Sequence, residues 1–214
     1  MGKDRVKKKK GTFLIMIGLL LLAAALCLTG YNIFESKKAE KISQDALQGI
    51  LDGIAEQEEN NTYEGDVEYE EIPFYERFPE KEMPTIEIDG QHYIGILEIP
   101  ALDIRLPVMG GKWSYPKLRM APCLYTGSVY KDDLVVAAHN YNSHFGQLKN
   151  LDMGNEIFFT DIEGNIFYYE AAWLDVLAPN QVEEMTDATD WDMTLFTCTY
   201  GGRERYALRC IRQQ

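Results

Sequence analysis

Residues 156–177 read EIFFTDIEGNIFYYEAAWLDVL. Two runs rich in β-branched and aromatic side chains, Glu156 to Thr160 and Ile166 to Glu170, flank a turn at Asp161 to Asn165, and the second run continues through Trp173 to Leu177. Such a pattern predicts a β-hairpin rather than an amphipathic helix. Short strands with turn punctuation recur on both sides of it. Upstream, Ile86-Glu87-Ile88 precedes an Asp89-Gly90 turn, Tyr93 to Ile99 is closed by Pro100, and Ile104 to Val108 is a further strand. Leu134 to Ala138 is wholly apolar, as expected of a strand covered on both faces. Downstream, Met193 to Cys198 and Tyr206 to Ile211 complete the set. Seven or eight strands with few short helices predict a mainly β domain closed into a barrel, because closure leaves no open sheet edge. The domain is expected over 84–214, enough chain for one core and too little for two.

Outside that domain the chain changes character three times. The formal net charge is -13, but the first ten residues hold six basic side chains against Asp4 and sum to +5, so the remaining 204 sum to -18. Acidity on that scale repels phosphate, which argues against nucleic acid as a partner for the bulk of the chain. From Thr12 to Phe34 the chain carries no charge, long enough at about 1.5 Å per helical residue to cross a hydrocarbon core of about 30 Å. The run exceeds the usual apolar region of a secretory signal, and Thr29-Gly30-Tyr31-Asn32 is a poor cleavage site. The expected topology is therefore a cytoplasmic basic tail (1–11), a single uncleaved transmembrane anchor (12–34) and an extracellular remainder at the cell membrane. Ile42, Ala46, Leu47, Ile50, Leu51 and Ile54 then recur at helical spacing, predicting a stalk. Glu56 to Glu82 contains eleven acids against Arg77 and Lys81, a composition that predicts an extended spacer. Stalk and spacer together are expected to occupy 35–83, ahead of the folded domain.

Chemistry is to be sought where strands end, since such positions are rigid on one side and open on the other. Cys198 ends the run Thr194-Leu195-Phe196-Thr197-Cys198 and meets the Gly201-Gly202 loop. His139 follows the apolar run Leu134 to Ala138, and Arg205 opens the last strand seven positions after Cys198. Taken singly, each has an ordinary structural explanation: a buried thiol, a packing imidazole, a solvated guanidinium. Taken together, they can supply a nucleophile, a proton donor for a departing amine and a cationic fork for an oxyanion.

On these residues the chain resembles the sortases, surface transpeptidases of Gram-positive bacteria. Thr194-Leu195-x-Thr197-Cys198 fits their signature at every fixed position, Arg205 opens the next strand, and Ala138-His139-Asn140 follows a hydrophobic strand. Similarity extends through Ile94 to Pro100, Ile104 to Val108 and Phe145 to Leu151 with Gly154, and so covers nearly all of the domain. The resemblance implies an eight-stranded barrel and a cysteine transpeptidase that cleaves a Leu-Pro-x-Thr-Gly-like sorting signal. By that resemblance Cys198 is the nucleophile, His139 the proton donor and acceptor, and Arg205 the oxyanion and substrate ligand, with Thr197 helping to position substrate. The implied partners are sorting-signal-bearing surface proteins or pilins, an amine acceptor such as a peptidoglycan precursor, and the membrane.

No cofactor is expected, and no Cys-x-x-Cys pair or His/Cys cluster offers metal-ligand spacing, so no metal is assigned. His144, five residues past His139, is set aside because it falls within the loop. The short stretch from Ala178 to Asp192 leaves no room for the long helical insertion of class B members. Cys123 and Cys210 are expected to be buried free thiols, although a bond between them is conceivable outside the membrane. Two rival readings remain: a cysteine protease acting on the same kind of motif, and a non-catalytic surface adhesion module.

Overall fold

The computed structural model describes residues 3–63, 72–187 and 189–213. Eight strands form the barrel: β2 (Gln91–Ile99), β3 (Ile104–Met109), β4 (Cys123–Thr126), β5 (Leu134–Ala137), β6 (Glu156–Asp161), β7 (Ile166–Leu177), β8 (Met193–Cys198) and β9 (Arg205–Arg212). They follow the ring order β2-β3-β4-β5-β8-β9-β7-β6, and β6 pairs back onto β2 to close it. A ninth, three-residue strand, β1 (Ile86–Ile88), is appended to the start of β2. Closure brings β2 and β6 very close at Gly95, where any Cβ would run into the Thr160 carbonyl oxygen. Only glycine lets the ring shut there.

The hairpin at 156–177 forms as its sequence predicts, with Phe158 opposite Tyr168 and Phe159 opposite Phe167. Along β7, Phe167, Tyr169 and Ala171 point inward and Ile166, Tyr168 and Glu170 outward, the alternation a half-buried strand requires. Every residue of β5 is buried, in keeping with its unbroken apolar sequence. The interior is filled by Leu97, Val108, Val136, Phe159, Leu195 and Leu208 among others.

Helix α1 (Lys3–Tyr63) contributes to two compact units, Met1–Lys37 and Lys38–Gln214. In the first unit the apolar side chains from Phe13 to Phe34 are exposed, which makes this part of the helix a candidate membrane anchor. The second unit takes in the rest of the helix, which the sequence reading keeps apart from the folded domain. Ala46, Leu47 and Ile50 are buried against Tyr93, Ile96, Met109, Leu118 and Ala121 on the barrel's outer wall, and the Ser43 hydroxyl donates to the Met120 carbonyl at 2.8 Å. Burying Leu47 and Ile50 in this way contributes about 1.5–3 kcal/mol each. The acid-rich stretch contributes as well: Tyr75, in the short helix α2 (Phe74–Arg77), stacks on Tyr130 at 5.6 Å and meets Phe167 edge-on at 5.1 Å. The apolar face of the helix covers Tyr93, Ile96 and Met109, while Tyr75 packs against Tyr130 and Phe167. The spacer residues 64–71 lie outside the described residues.

Candidate active site

Strand register alone brings His139, Cys198 and Arg205 into one row. Strands β5 and β8 are parallel neighbours with Leu134 opposite Met193 and Ala137 opposite Phe196, so two residues further on His139 comes level with Cys198. The ladder continues beyond β5, since the Ala138 N–H donates to the Phe196 carbonyl at 3.1 Å. Strands β8 and β9 are antiparallel, and their last pair is Cys198 with Arg205. Three residues distant in sequence thus stand on three adjacent strand ends, about 4.8 Å apart per strand step. All three line one cavity of about 190 Å³.

Thr197 lines the same cavity but is itself buried, and its hydroxyl donates to the Ala138 carbonyl at 2.8 Å. The bond fastens the backbone just before His139 to the backbone just before Cys198, so in this structure the hydroxyl serves the alignment of those two residues. Arg205 is steadied by its own loop: one terminal nitrogen donates to the carbonyls of Gly202 at 3.1 Å and Glu204 at 2.9 Å. The hairpin between Cys198 and Arg205 is closed by Thr199, whose N–H donates to the Glu204 carbonyl at 3.0 Å and whose hydroxyl accepts from the Glu204 N–H at 3.1 Å.

Imidazole His139 is half-buried, and its Nε2 is buried without a hydrogen-bond partner. Burial, and then the Arg119 guanidinium, hold its pKa below the ordinary histidine value. A neutral imidazole with an uncommitted nitrogen is able to take a proton and return it. His144 is different in kind. It is fully buried, neither ring nitrogen has a partner, and desolvation with the nearby His139 lowers its pKa to about 4. Between about pH 6.5 and pH 4 the unfolded chain therefore binds a proton at His144 that the folded chain refuses, and stability falls as pH falls through that window. For a shift of this size the loss is about 3 kcal/mol. His144→Phe is expected to flatten the decline in thermal midpoint between pH 6.5 and 4, and an unchanged acid profile in that variant would refute the assignment.

Among the cysteines, all four are free thiols. Cys123 and Cys210 are buried, and desolvation raises both, Cys123 to about 12. Cys198 is only partly buried and is open to the cavity.

Several parts of the site carry no signal in the sequence. Trp113 stacks on Tyr125 at 5.6 Å, and Tyr125 meets Phe196 edge-on at 5.2 Å, giving the cavity an aromatic wall. Trp113 lies in the loop ahead of α3 (Tyr115–Leu118), where Ser114 caps the helix by accepting from the Lys117 N–H. The opposite contribution comes from Val182 and Met185 of α4 (Val182–Thr186). Buried Arg209 holds α4 there, donating to the Glu184 carbonyl at 2.6 Å and the Met185 carbonyl at 3.2 Å while pairing with Asp175 at 3.0 Å. Isolated aromatic and aliphatic residues in loops look alike in sequence whether or not they line a cleft.

A thiol, an imidazole and a guanidinium thus stand at adjacent strand ends of a closed eight-stranded barrel and line one cavity, a set of groups chemically able to carry out acyl transfer. Comparison with known proteins narrows this class. The family model described as the sortase domain matches residues 97–213, more than half of the chain. The fold is shared with a Clostridium perfringens sortase D5 transpeptidase at 19% identity, with a TM-score of 0.59 over 81% of this chain and 99% of that one. It is shared also with Streptococcus pneumoniae sortase C (21% identity, TM-score 0.56, 79% of this chain and 97% of that one). A third likeness is to sortase A from Corynebacterium diphtheriae (17% identity, TM-score 0.52, 86% and 93%). No curated protein matches the chain. The chain belongs to the sortase family of transpeptidases.

Proposed function

We propose that this protein is a membrane-anchored cysteine transpeptidase that cleaves a Leu-Pro-x-Thr-Gly-like sorting signal and transfers the severed protein to an amine at the cell surface. The observation that carries this reading is the row of His139, Cys198 and Arg205 set by strand register. In the first half-reaction the Cys198 thiol passes its proton to His139, and the resulting thiolate attacks the threonine carbonyl carbon of the motif. The tetrahedral oxyanion is held by Arg205, the carbon–nitrogen bond breaks, and His139 gives its proton to the departing amine. In the second, an incoming amine attacks the thioacyl carbon, His139 takes its proton, and the Cys198 thiolate leaves. Thr197 keeps the row in alignment through its bond to Ala138. Acceptors of this chemistry are a peptidoglycan precursor or a pilin lysine, and the substrates are surface proteins or pilins bearing the motif.

Localisation follows the same logic: the basic start stays in the cytoplasm and the catalytic domain faces outward. Among the described residues the connection between β7 and β8 holds the five-residue α4 alone, which supports a reading outside class B. Hydrolysis and transfer share the first half-reaction and separate in the second. The full chain in detergent micelles, given a panel of fluorescent pentapeptides of the Leu-Pro-x-Thr-Gly type with and without a glycine-peptide amine, is expected to form the ligated product in proportion to the amine. Release of the free acid at a rate indifferent to added amine would assign the protein to the protease reading instead.

A further inference from the structure

The loop that follows His139 folds back on it as a stack of rings. Tyr141 lies nearly parallel to the His139 imidazole, with centroids 4.8 Å apart and planes at 23°, and His144 meets Tyr141 at 5.6 Å and 50°. The backbone fixes this arrangement tightly. The Tyr141 carbonyl accepts from the N–H groups of both His144 (3.0 Å) and Gly146 (2.9 Å), while the Phe145 N–H donates to the His139 carbonyl at 3.1 Å. A Cβ at position 146 would lie 2.5 Å from the Asn140 carbonyl oxygen and 2.7 Å from that of Tyr141, so the turn closes this far only on glycine. His144, buried with neither nitrogen bonded, serves as a ring that backs the stack rather than as a charge.

We infer that Tyr141 is a positioning residue for His139: its aromatic face sets the plane of the imidazole and favours the imidazolium form that a proton donor must reach. The inference rests on the reading of His139 as the proton donor of the proposed reaction. An aromatic face is negative, and a cation seated on it is stabilised. Of the other groups around His139, Arg119 opposes the charge, Cys198 and Arg205 share its cavity, and His144 is neutral near pH 7. The stack thus offsets part of what burial and Arg119 impose.

The test uses the full chain in detergent micelles with histidine labelled at Cε1, titrated by NMR; His92 and His144 signals are identified by single substitution. Tyr141→Leu and Tyr141→Met, both without an aromatic face, are expected to lower the His139 midpoint by about half a pH unit, and Tyr141→Phe to keep it. The second aliphatic variant preserves the test if the first does not fold. In the ligation assay near neutral pH, the aliphatic variants are expected to lose about threefold or more in kcat with KM within about twofold, and Tyr141→Phe to recover the loss. A His139 midpoint that is the same with and without the aromatic ring overturns the inference. Because the titration needs no substrate, it reports on the stack even if ligation is never observed, in which case the proposed function alone would fall.

Discussion

Replacing Cys198 with alanine is expected to abolish peptide ligation, by at least about 10⁴-fold, while leaving the barrel intact. The magnitude follows from the mechanism: with no sulfur there is no thioacyl intermediate, and what remains is the positioning supplied by the cavity, which cannot cleave an amide alone. The side chain is partly exposed to the cavity, so its truncation leaves no large void in the core. Thermal midpoint is accordingly expected to change little, which separates lost chemistry from lost folding. The two other cysteines of the compact unit provide an internal control. Cys123 and Cys210 are buried with raised pKa values, so a polar thiol reagent applied to the folded protein should modify Cys198 first among the three. Ligation by Cys198→Ala at a wild-type rate would end the assignment.

The second large effect is expected at His139. Its replacement by alanine should lower kcat by about 10²–10⁴-fold, the usual contribution of a positioned acid-base group. The loss should be steepest for the departing amine, which is a poor leaving group until protonated. His144→Phe, by contrast, removes an imidazole only five residues away and should leave ligation near the wild-type rate. The pair of variants discriminates between the two histidines in the segment, one lining the cavity and one sealed in the loop. A severe loss in the His144 variant together with an active His139 variant would reverse the assignment.

Much of the fold was legible because its strands announce themselves. The hairpin at 156–177, the apolar β5 and the run ending in Cys198 each carry a strand pattern that tertiary structure had no cause to override. His139, Cys198 and Arg205 were legible for a related reason: each stands beside a strand end, and parallel pairing of β5 with β8 fixes two of them level. What escaped the sequence depends on surfaces meeting across the fold. Helical spacing at Ile42 to Ile54 shows an apolar face but does not name its cover, which proves to be the outer wall at Tyr93, Ile96 and Met109. The composition around Tyr75 indicates solvation, yet that ring finds Tyr130 and Phe167. Trp113, Tyr125 and Met185 converge on the cavity from three separate connections and strands, a convergence that only the folded chain displays. For Thr197 the family resemblance implies a part in positioning substrate, and in the structure its hydroxyl donates to the Ala138 carbonyl.

The proposed reaction is tested most directly by intact-mass measurement on the full chain during turnover of the pentapeptide panel without added amine. A covalent adduct equal to the acyl part of one peptide is expected, mapped by proteolysis to Cys198, absent in Cys198→Ala, and discharged on addition of a peptide amine with release of the joined product. Joined product formed in the Cys198→Ala variant, or an adduct carried on another residue, would contradict it.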